Sequence, residues 1–389
     1  LREKLKRLGV DKGASKVKPN ARPPTGRARS IEQLVNGREI ESSLGRAFVV
    51  DEYYAPDHAH GRAALALFLE QSAEIAAQLG NEPRLAGVAL DRVAFLDTET
   101  TGLSGGTGTL AFLVGIGSFE TQPSPPQEEK AGRRFCLNQF FLRDPDQEAA
   151  MLTALADWMS DKQALVTFNG RGFDLPLLET RYTLARLRPR WLGLPHLDLL
   201  APARRVWRDR LPSCALSSLE AHILDVRRTR DDVPGYLIPQ MYLDYIRTGD
   251  AREMMQVMYH NQQDILSMVT LAVQLCQMFA GPTAQSSDPA DLVSLGKWYD
   301  DLGLTAQAEQ TWRAALEHDL PSLAREAALV RLGLRLKKQG RRAEAVAVWE
   351  QLAQSDSAKI LAHVELAKHY EWHAGDLAQA QARTRAAEW

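Results

Sequence analysis

The stretch AFLDTETTGL, residues 94–103, places two carboxylates at the end of an apolar run. The run predicts a buried strand, and residues i and i+2 of a strand point to the same face. We therefore expect Asp97 and Glu99 to project together, about 6.6–6.8 Å apart along the chain. Like charges this close repel each other unless a cation neutralises them, and oxygen ligands suit Mg²⁺ or Mn²⁺. By itself, however, such a pair is also typical of a strand end that meets water.

Composition limits the possible function classes. The chain has 389 residues, of which 45% are hydrophobic and 25% charged, with a net charge of −2. These values predict a soluble protein of two or three domains, in which nucleic-acid binding would require a local basic surface. Cys136, Cys214 and Cys276 lack the spacing of metal ligands. We expect them to be reduced, and we expect a cytoplasmic protein without a signal peptide or a membrane helix.

Composition and periodicity divide the chain into four segments. Residues 1–30 are rich in Lys, Arg, Pro and Gly and predict a disordered basic arm, either a solvated tail or a non-specific nucleic-acid contact. Residues 31–90 form an N-terminal extension to which we assign no function. In residues 91–280, three strands are followed by alternating helix and strand, which predicts an α/β fold with a mixed sheet flanked by helices. Residues 290–389 are predicted to be entirely helical.

The helical tail contains a repeat. Segments that contain Gly303, Gly340 and Gly375 align with spacings of 37 and 35 residues, and Trp312 and Trp349 each follow their glycine by nine positions. The spacing resembles that of tetratricopeptide helical hairpins, whose period is about 34 residues. An unrelated helical bundle is the alternative. Tetratricopeptide arrays usually bind a peptide or a protein on a concave surface, so we consider a protein partner for this tail.

Two further stretches carry polar residues at positions that matter for the acidic pair. In LVTFNGRGFDLPLLETRY, residues 165–182, Asp174 follows a strand and a glycine-containing turn, either as a helix N-cap or aimed at the end of the sheet. In YHNQQDILSMVTL, residues 259–271, His260 and Asp264 lie about 40° apart on one helix face, whereas Tyr259 lies about 140° from Asp264. A hydrogen bond within the core would also account for His260 and Asp264.

The order of these three motifs resembles the DEDD superfamily of RNase H-like 3′–5′ exonucleases, and in particular its YprB-type branch. The segment 196–250 and the repeat-containing tail are also similar to that branch, and the resemblance covers about residues 91–280. It implies an RNase H-like mixed β-sheet, followed here by a tetratricopeptide-like helical-hairpin domain. The function that it implies is a metal-dependent nuclease that acts on single-stranded DNA or RNA.

The resemblance also implies roles for individual residues. The metal ligands would be the four acids Asp97, Glu99, Asp174 and Asp264, which would hold two Mg²⁺ or Mn²⁺ ions. His260 would be the general base, and the helical phase favours it over Tyr259. Attack of water would release nucleoside 5′-monophosphates. The alternative is a non-catalytic nucleic-acid-binding or scaffold protein that acts mainly through its helical repeats.

Several residues near these motifs have two interpretations. The glycine-rich segment after the first strand forms either a tight turn or a contact with the terminal nucleotide, and the candidate contacts are Thr100, Thr101, Gly102 and Leu103. Asn169 is either a strand-end cap or a substrate ligand. Phe173 is expected in the core, with stacking on a base as the alternative.

Two other features also have two interpretations each. The eight arginines between Arg181 and Arg210 indicate either solvated helix faces or a track for a phosphate backbone. His196 and Asp198 form either a structural hydrogen bond or an additional metal pair.

Overall fold

The computed structural model describes residues 27–102, 107–121, 133–229, 231–281, 288–355 and 357–387. Most of the predicted basic arm, residues 1–30, lies outside these ranges. The chain forms two compact units. The first unit consists of Leu1–Pro202 and Ser213–Gln277, and the second of Ala203–Pro212 and Met278–Trp389.

The first unit is organised around a seven-stranded mixed sheet with the order β1-β2-β7-β6-β5-β8-β9. Its strands are β1 (Gly37–Ser42), β2 (Gly45–Tyr54), β5 (Val93–Thr100), β6 (Ala111–Thr121), β7 (Arg133–Phe141), β8 (Ala164–Thr167) and β9 (His196–Asp198), while β3 (Ala59–His60) and β4 (Ala63–Ala64) pair separately. The neighbouring pairs β1–β2, β2–β7, β7–β6 and β6–β5 are antiparallel, whereas β5–β8 and β8–β9 are parallel. The predicted mixed sheet is confirmed.

The predicted N-terminal extension adds two strands to this sheet. β2 pairs with β7 from Phe48 opposite Phe141 to Tyr54 opposite Phe135, and β1 pairs with β2 at the edge. Four consecutive residues of β2, 47–50, are buried, so both faces of the strand are covered there. Burial of these apolar residues stabilises the hairpin against the sheet, because about 25 cal/mol is gained for each Å² of apolar surface removed from water.

Helices flank the sheet and position the residues discussed below. In the order of the chain they are α1 (Ala73–Gly80), α2 (Glu148–Trp158), α3 (Asp174–Leu184), α4 (Leu200–Trp207), α5 (Leu216–Leu219), α6 (Ile238–Thr248) and α7 (Met254–Ala280). A π-helical turn, Glu220–Leu224, follows α5. The core contains a stacked pair, Phe112 and Tyr242, with ring centroids 4.0 Å apart.

The second unit contains three successive helical hairpins. They consist of α8 (Pro289–Asp301) with α9 (Thr305–Leu316), α10 (Ser322–Lys338) with α11 (Arg342–Leu352), and α12 (Lys359–His369) with α13 (Leu377–Ala387). The aligned glycines each lie in the turn of a hairpin with a positive φ, which is 77° at Gly303, 75° at Gly340 and 69° at Gly375. A left-handed backbone favours glycine, and this explains the spacing seen in the sequence.

The repeat also has a packing basis. A Cβ atom on Gly296 would lie 2.5 Å from Nε1 of Trp312, and one on Gly333 would lie 2.6 Å from the ring of Trp349. The two glycines are 37 residues apart, as are the two tryptophans. Each indole is thus seated against a glycine of the preceding helix, which allows the paired helices to approach closely. None of the helices in the described part of the chain combines the length and the apolar character that a membrane span requires.

Candidate metal centre

The acidic pair lies where β5 leaves the core. The first four residues of β5 are buried and the last four are partly exposed. Asp97 and Glu99 both lie in the second half, where the strand leaves the core. The pairing with β6 shifts between Glu99, opposite Leu113, and Thr100, opposite Ala111. Such irregularities increase the local twist of a strand and often lie beside active sites. Both carboxylates therefore lie at the irregular C-terminal end of β5, a strand inside the sheet.

Three potential ligands from β5 and α7 converge here. One ligand atom each of Glu99, His260 and Asp264 lie within 4.8 Å of one another. Nε2 of His260 is 3.7 Å from Oδ2 of Asp264, as expected for residues four positions apart on a helix. Tyr259 is engaged elsewhere, because its hydroxyl accepts a hydrogen bond from the Thr229 amide at 3.2 Å.

The other two predicted ligands lie beside this group but outside it. Oδ2 of Asp97 accepts a hydrogen bond from Nδ2 of Asn261 at 2.8 Å. Asp174, the first residue of α3, accepts a hydrogen bond from the hydroxyl of Thr98. Burial raises the pKa of Asp97, and the charges of Asp264 and Asp174 raise it further, so Asp97 and Asp174 remain within electrostatic range of each other. The structure thus gathers all four acids into one neighbourhood and adds His260 to the closest subset.

The carboxyl groups around the end of β5 are not fully neutralised by nearby positive charge, as their raised pKa values indicate. Burial raises the pKa of Glu99 well above its ordinary value, and the nearby charges of Asp97 and Asp264 raise it further. Burial also raises the pKa of Asp174, to about 6, despite the hydrogen bond from Thr98. Raised pKa values mean that the acids resist ionisation until a cation is supplied. The donor set and its electrostatics therefore fit divalent cations.

Arg228 is the main feature that sequence reasoning missed. Its Nε and Nη2 atoms donate to the two carboxylate oxygens of Glu220 at 2.8 and 2.6 Å, and Nη2 also donates to Oδ1 of Asp264. Burial lowers the pKa of Arg228, but the Glu220 hydrogen bonds and the Asp264 charge outweigh burial and raise it. A permanent positive charge therefore lies directly behind one of the candidate ligands.

The partner of Arg228 is itself fixed by buried polar groups. Glu220 is 2% exposed and lies in the π-helical turn after α5. Its Oε1 accepts a hydrogen bond from the Ser267 hydroxyl at 2.6 Å, and Oγ of Ser267 in turn lies 2.8 Å from Nε2 of His60. Burial lowers the pKa of His60 to about 4, so this ring is neutral at pH 7. A buried ion pair needs such hydrogen bonds to compensate for the loss of hydration.

A second carboxylate orients the histidine of the group. Nδ1 of His260 lies 2.7 Å from Oδ1 of Asp232 and 3.2 Å from Nη1 of Arg228. Nδ1 cannot both donate to a carboxylate and accept from a guanidinium. The shorter contact favours Nδ1–H donating to Asp232, and this leaves the lone pair of Nε2 facing Asp264 and Glu99.

A buried amide supports the first acid of the pair. Asn261 is fully buried, and its Oδ1 accepts a hydrogen bond from Nε2 of Gln139 at 2.9 Å while its Nδ2 holds Asp97. A Cβ atom on Gly115 would lie only 2.1 Å from this Oδ1. The only sequence signal for Asn261 is its place in the polar HNQQD segment of an otherwise apolar helix.

The predicted contacts after β5 take part in a local turn. The Thr100 hydroxyl donates to the Gly102 carbonyl, and the Thr101 hydroxyl accepts from the Leu110 amide, both at 2.9 Å. These bonds agree with the turn interpretation and leave contact with a nucleotide as a prediction. Leu103 lies outside the described residues.

Asn169 and Phe173, the two candidate substrate contacts that follow β8, have different environments in the structure. Asn169 has a left-handed backbone with φ of 67°, and its carbonyl accepts from the Gly172 amide at 3.1 Å, which is a turn role. Phe173 is 59% exposed, so the expectation that it belongs to the core was wrong. It immediately precedes α3 at the end of a loop, and its ring is accessible to solvent.

His196 and Asp198 have structural roles. His196 is buried, and its Nε2 lies 2.8 Å from the Thr167 hydroxyl. The carboxylate of Asp198 accepts from the backbone amides of Asn169 at 2.7 Å and Arg171 at 3.0 Å. These contacts agree with the structural interpretation rather than with an additional metal pair.

Comparison with known proteins finds a match for the part of the chain that contains the candidate metal centre. Residues 94–276 match the RNase_H_2 family model of the RNase_H superfamily. Over 384 residues the chain is 29% identical to "Uncharacterized protein YprB" of Bacillus subtilis (strain 168), which covers 95% of this chain and 88% of that protein.

Among solved structures, the chain matches the family B DNA polymerase of the hyperthermophilic archaeon Pyrobaculum calidifontis at 15% identity, with a TM-score of 0.35. The match covers 64% of this chain and spans 29% of the polymerase chain.

Proposed function

We propose that this protein is a metal-dependent nuclease, specifically a DEDD-type 3′–5′ exonuclease that hydrolyses phosphodiesters of single-stranded DNA or RNA. The observation that carries the proposal is the group of Glu99, His260 and Asp264, whose ligand atoms lie within 4.8 Å of one another. The RNase H superfamily match supports the broader reaction class, since nucleases are common in that superfamily. The raised pKa of Asp97 supports a need for cations at the same place.

The donor set is compatible with either of the expected ions. Two Mg²⁺ or Mn²⁺ ions held by Asp97, Glu99, Asp174 and Asp264 would activate a water molecule and stabilise the departing 3′ oxygen. If Nε2 of His260 is itself a ligand, the mixed oxygen and nitrogen set favours Mn²⁺, because Mg²⁺ prefers oxygen ligands.

The protein's own residues then divide the remaining work. Asp232 accepts the Nδ1 proton of His260, so Nε2, when it is not itself bound to a metal ion, is the atom that would take a proton from the attacking water. Burial raises the pKa of Asp264, and Arg228 opposes this effect and so favours the ionised form that can act as a ligand. Phe173 offers an accessible ring on which the terminal base can stack, and Asn169, Thr100 and Thr101 lie in the adjoining turns.

The test uses end-labelled single-stranded DNA and RNA with Mn²⁺. Wild-type protein should release nucleoside 5′-monophosphates from the 3′ end, and Asp97→Ala and Asp264→Ala should reduce the rate by at least about 100-fold because each removes a metal ligand. A 3′-terminal phosphorothioate should block degradation if attack starts at that end. Glu41→Gln, at a side chain 78% exposed, is the control and should behave like wild type.

The assay can also reject the proposal. Equal degradation by wild type and both ligand variants would point to a contaminating nuclease. Absence of degradation on both substrates would favour a non-catalytic protein that binds nucleic acid or a partner through its helical repeats.

A further inference from the structure

The arginine-rich stretch 181–210 contains arginines that are hydrogen-bonded to a carboxylate and arginines with exposed side chains. Arg181 is buried and donates to both oxygens of Glu148, each at 2.6 Å. Arg210 does the same with Asp291 at 2.7 and 2.8 Å. These two arginines are structural. Arg204, Arg205 and Arg208, in contrast, have exposed side chains within the second unit.

These three arginines line a cleft of about 300 Å³ that lies entirely within the second unit. Lys297 of α8 and Arg331 of α10 line the same cleft. Asp301 and Asp209 are its acidic lining residues, and each lies near an arginine of the cleft: Asp301 is 3.7 Å from Arg205, and Asp209 is 3.5 Å from Arg208.

The remaining cations have no such neighbour. Across the residues that the structure describes, no carboxylate lies within salt-bridge distance of Arg204, Lys297 or Arg331. Their charges come from three different elements and face one open cavity. Cations crowded together without anions repel each other, so this arrangement gains stability when an anion enters.

The walls of the cleft are held in place before any ligand binds. Asp291 accepts a hydrogen bond from Nε1 of Trp207 at 3.1 Å and the two bonds from Arg210, which fixes the segment 203–212 against α8. The buried ring of Trp298 lies beneath the guanidinium of Arg205, which is 5.4 Å from the ring centroid. Guanidinium groups held in fixed orientation recognise phosphate through paired hydrogen bonds.

We propose that this cleft binds the phosphates of a single nucleic-acid strand. A cavity of this size admits one or two phosphate groups with their sugars and is too small for a folded protein surface. The choice of nucleic acid as the source of the phosphates rests on the proposed nuclease function, whereas the anion site itself rests on the five cations alone. The site would add substrate affinity that is independent of the metal centre.

Binding is measured by fluorescence anisotropy with a labelled single-stranded oligonucleotide in EDTA, so that nothing is hydrolysed. The triple variant Arg204→Gln, Lys297→Gln, Arg331→Gln should raise the Kd by about 10-fold or more. The slope of log Kd against log salt should fall by about 2, since each phosphate contact on a single strand contributes roughly 0.7. The double variant Arg204→Gln, Lys297→Gln, at two exposed positions, should show about two thirds of this slope change and guards against misfolding of the triple variant.

The matched control removes the same charge from exposed positions outside the cleft. The triple variant Lys338→Gln, Arg342→Gln, Arg385→Gln lies in the same unit and should change the Kd by less than about 3-fold. Equal weakening by both triple variants, or an unchanged salt slope in the cleft variant, would overturn the proposal. So would displacement of the oligonucleotide by polyglutamate as readily as by unlabelled oligonucleotide.

This test is separable from the nuclease test. Oligonucleotide binding that depends on the cleft, in a protein that hydrolyses nothing, would reject the proposed function and keep the site. Hydrolysis at the metal centre with no effect of the cleft variant on binding would reject the site and keep the function.

Discussion

Nδ1 of His260 lies 2.7 Å from Oδ1 of Asp232, and this contact determines which ring nitrogen faces the metal-binding carboxylates. The geometry is that of a histidine oriented by a second carboxylate, which fixes both the tautomer and the ring plane. Asp232 comes from a loop that the motif analysis did not connect with α7. It therefore adds a positioning residue to the candidate site.

Asp232→Ala should lower the rate of Mn²⁺-dependent hydrolysis by about 10- to 100-fold, because His260 loses the group that orients it. Asp232→Asn should recover part of the loss, since an amide oxygen still accepts the Nδ1 proton. The effect should fall on kcat with little change in KM. Asp231→Ala is the control, because Asp231 is exposed and, within the described part of the chain, its hydrogen bonds are local ones to Thr229. Similar losses in the two alanine variants would contradict a specific role for Asp232.

Arg228 and a divalent cation both supply positive charge to Asp264. We expect Arg228→Gln to lower the free energy of unfolding in EDTA by about 3–5 kcal/mol, because Glu220 is left buried without its cation. Saturating Mn²⁺ should raise the melting temperature of this variant more than that of wild type, since the ion replaces part of the missing charge.

The control for Arg228 is another arginine–carboxylate pair of the same unit. Arg38 pairs with Asp51 at the surface with its own side chain 52% exposed, so Arg38→Gln should cost no more than about 1 kcal/mol. Its Mn²⁺-induced shift should equal that of wild type. An equal shift in Arg228→Gln as well would show that Arg228 is not linked to the cation site.

Gly115 makes room for the amide that holds Asp97. In Gly115→Ala, the new methyl group would lie 2.1 Å from Oδ1 of Asn261, so the amide must move. We expect a loss of about 1–3 kcal/mol in unfolding free energy, measured with urea, and weaker Mn²⁺ binding in a titration. Gly87→Ala is the matched control, since a Cβ there meets no atom within 4 Å, and it should change stability by less than about 0.5 kcal/mol. Unchanged stability and metal affinity in Gly115→Ala would show that Asn261 is not held as described.

In the metal-free protein, Asp174 should lower the free energy of unfolding by an amount that depends on pH. The native pKa of about 6 exceeds the ordinary 3.8, so the native state holds this proton more tightly than the unfolded state does. This loss of unfolding free energy is absent below the ordinary pKa and grows as the pH rises from the ordinary to the native pKa. It reaches about 3 kcal/mol near neutrality. Asp174→Asn removes this titration.

The measurement is the difference in unfolding free energy between Asp174→Asn and wild type, taken in EDTA. Between pH 5 and pH 7.5, this difference should shift in favour of the variant by roughly 1–2 kcal/mol. The comparison cancels titrations that Asp174 does not influence, such as that of His196, whose pKa is lowered to about 4 by burial. A difference that does not depend on pH would mean that Asp174 titrates normally.

The sequence was most informative where a regular period governs the structure. Strand alternation predicts that Asp97 and Glu99 share one face, and helical phase predicts that His260 lies beside Asp264 with Tyr259 turned away, as the structure shows for the helix. The repeated glycines of the second unit were visible for the same reason, because a left-handed turn recurs in each hairpin. These are local rules, which operate within one element or one repeat.

Residues from distant, irregular segments could not be predicted in this way. Arg228 and Asp232 lie in the loop before α6 and follow no period, and their roles depend on how that loop folds over α7. Phe173 was expected in the core from its apolar side chain, yet the turn after β8 leaves it in solvent. Aromatic character indicates a preference for burial but does not state whether neighbouring elements cover the position.

The sequence by itself thus determined the mixed sheet, the helical hairpins and the acids at the end of β5, because hydrophobic period, glycine turns and motif spacing are properties of the chain. The tertiary structure alone decided which side chains supply positive charge and hydrogen bonds to the residues of the candidate metal centre. The pairing of Arg228 with Glu220 and Asp264, and of His260 with Asp232, depends on distances between segments far apart in sequence. Electrostatic energy varies with such distances and with burial, neither of which is encoded in a local pattern.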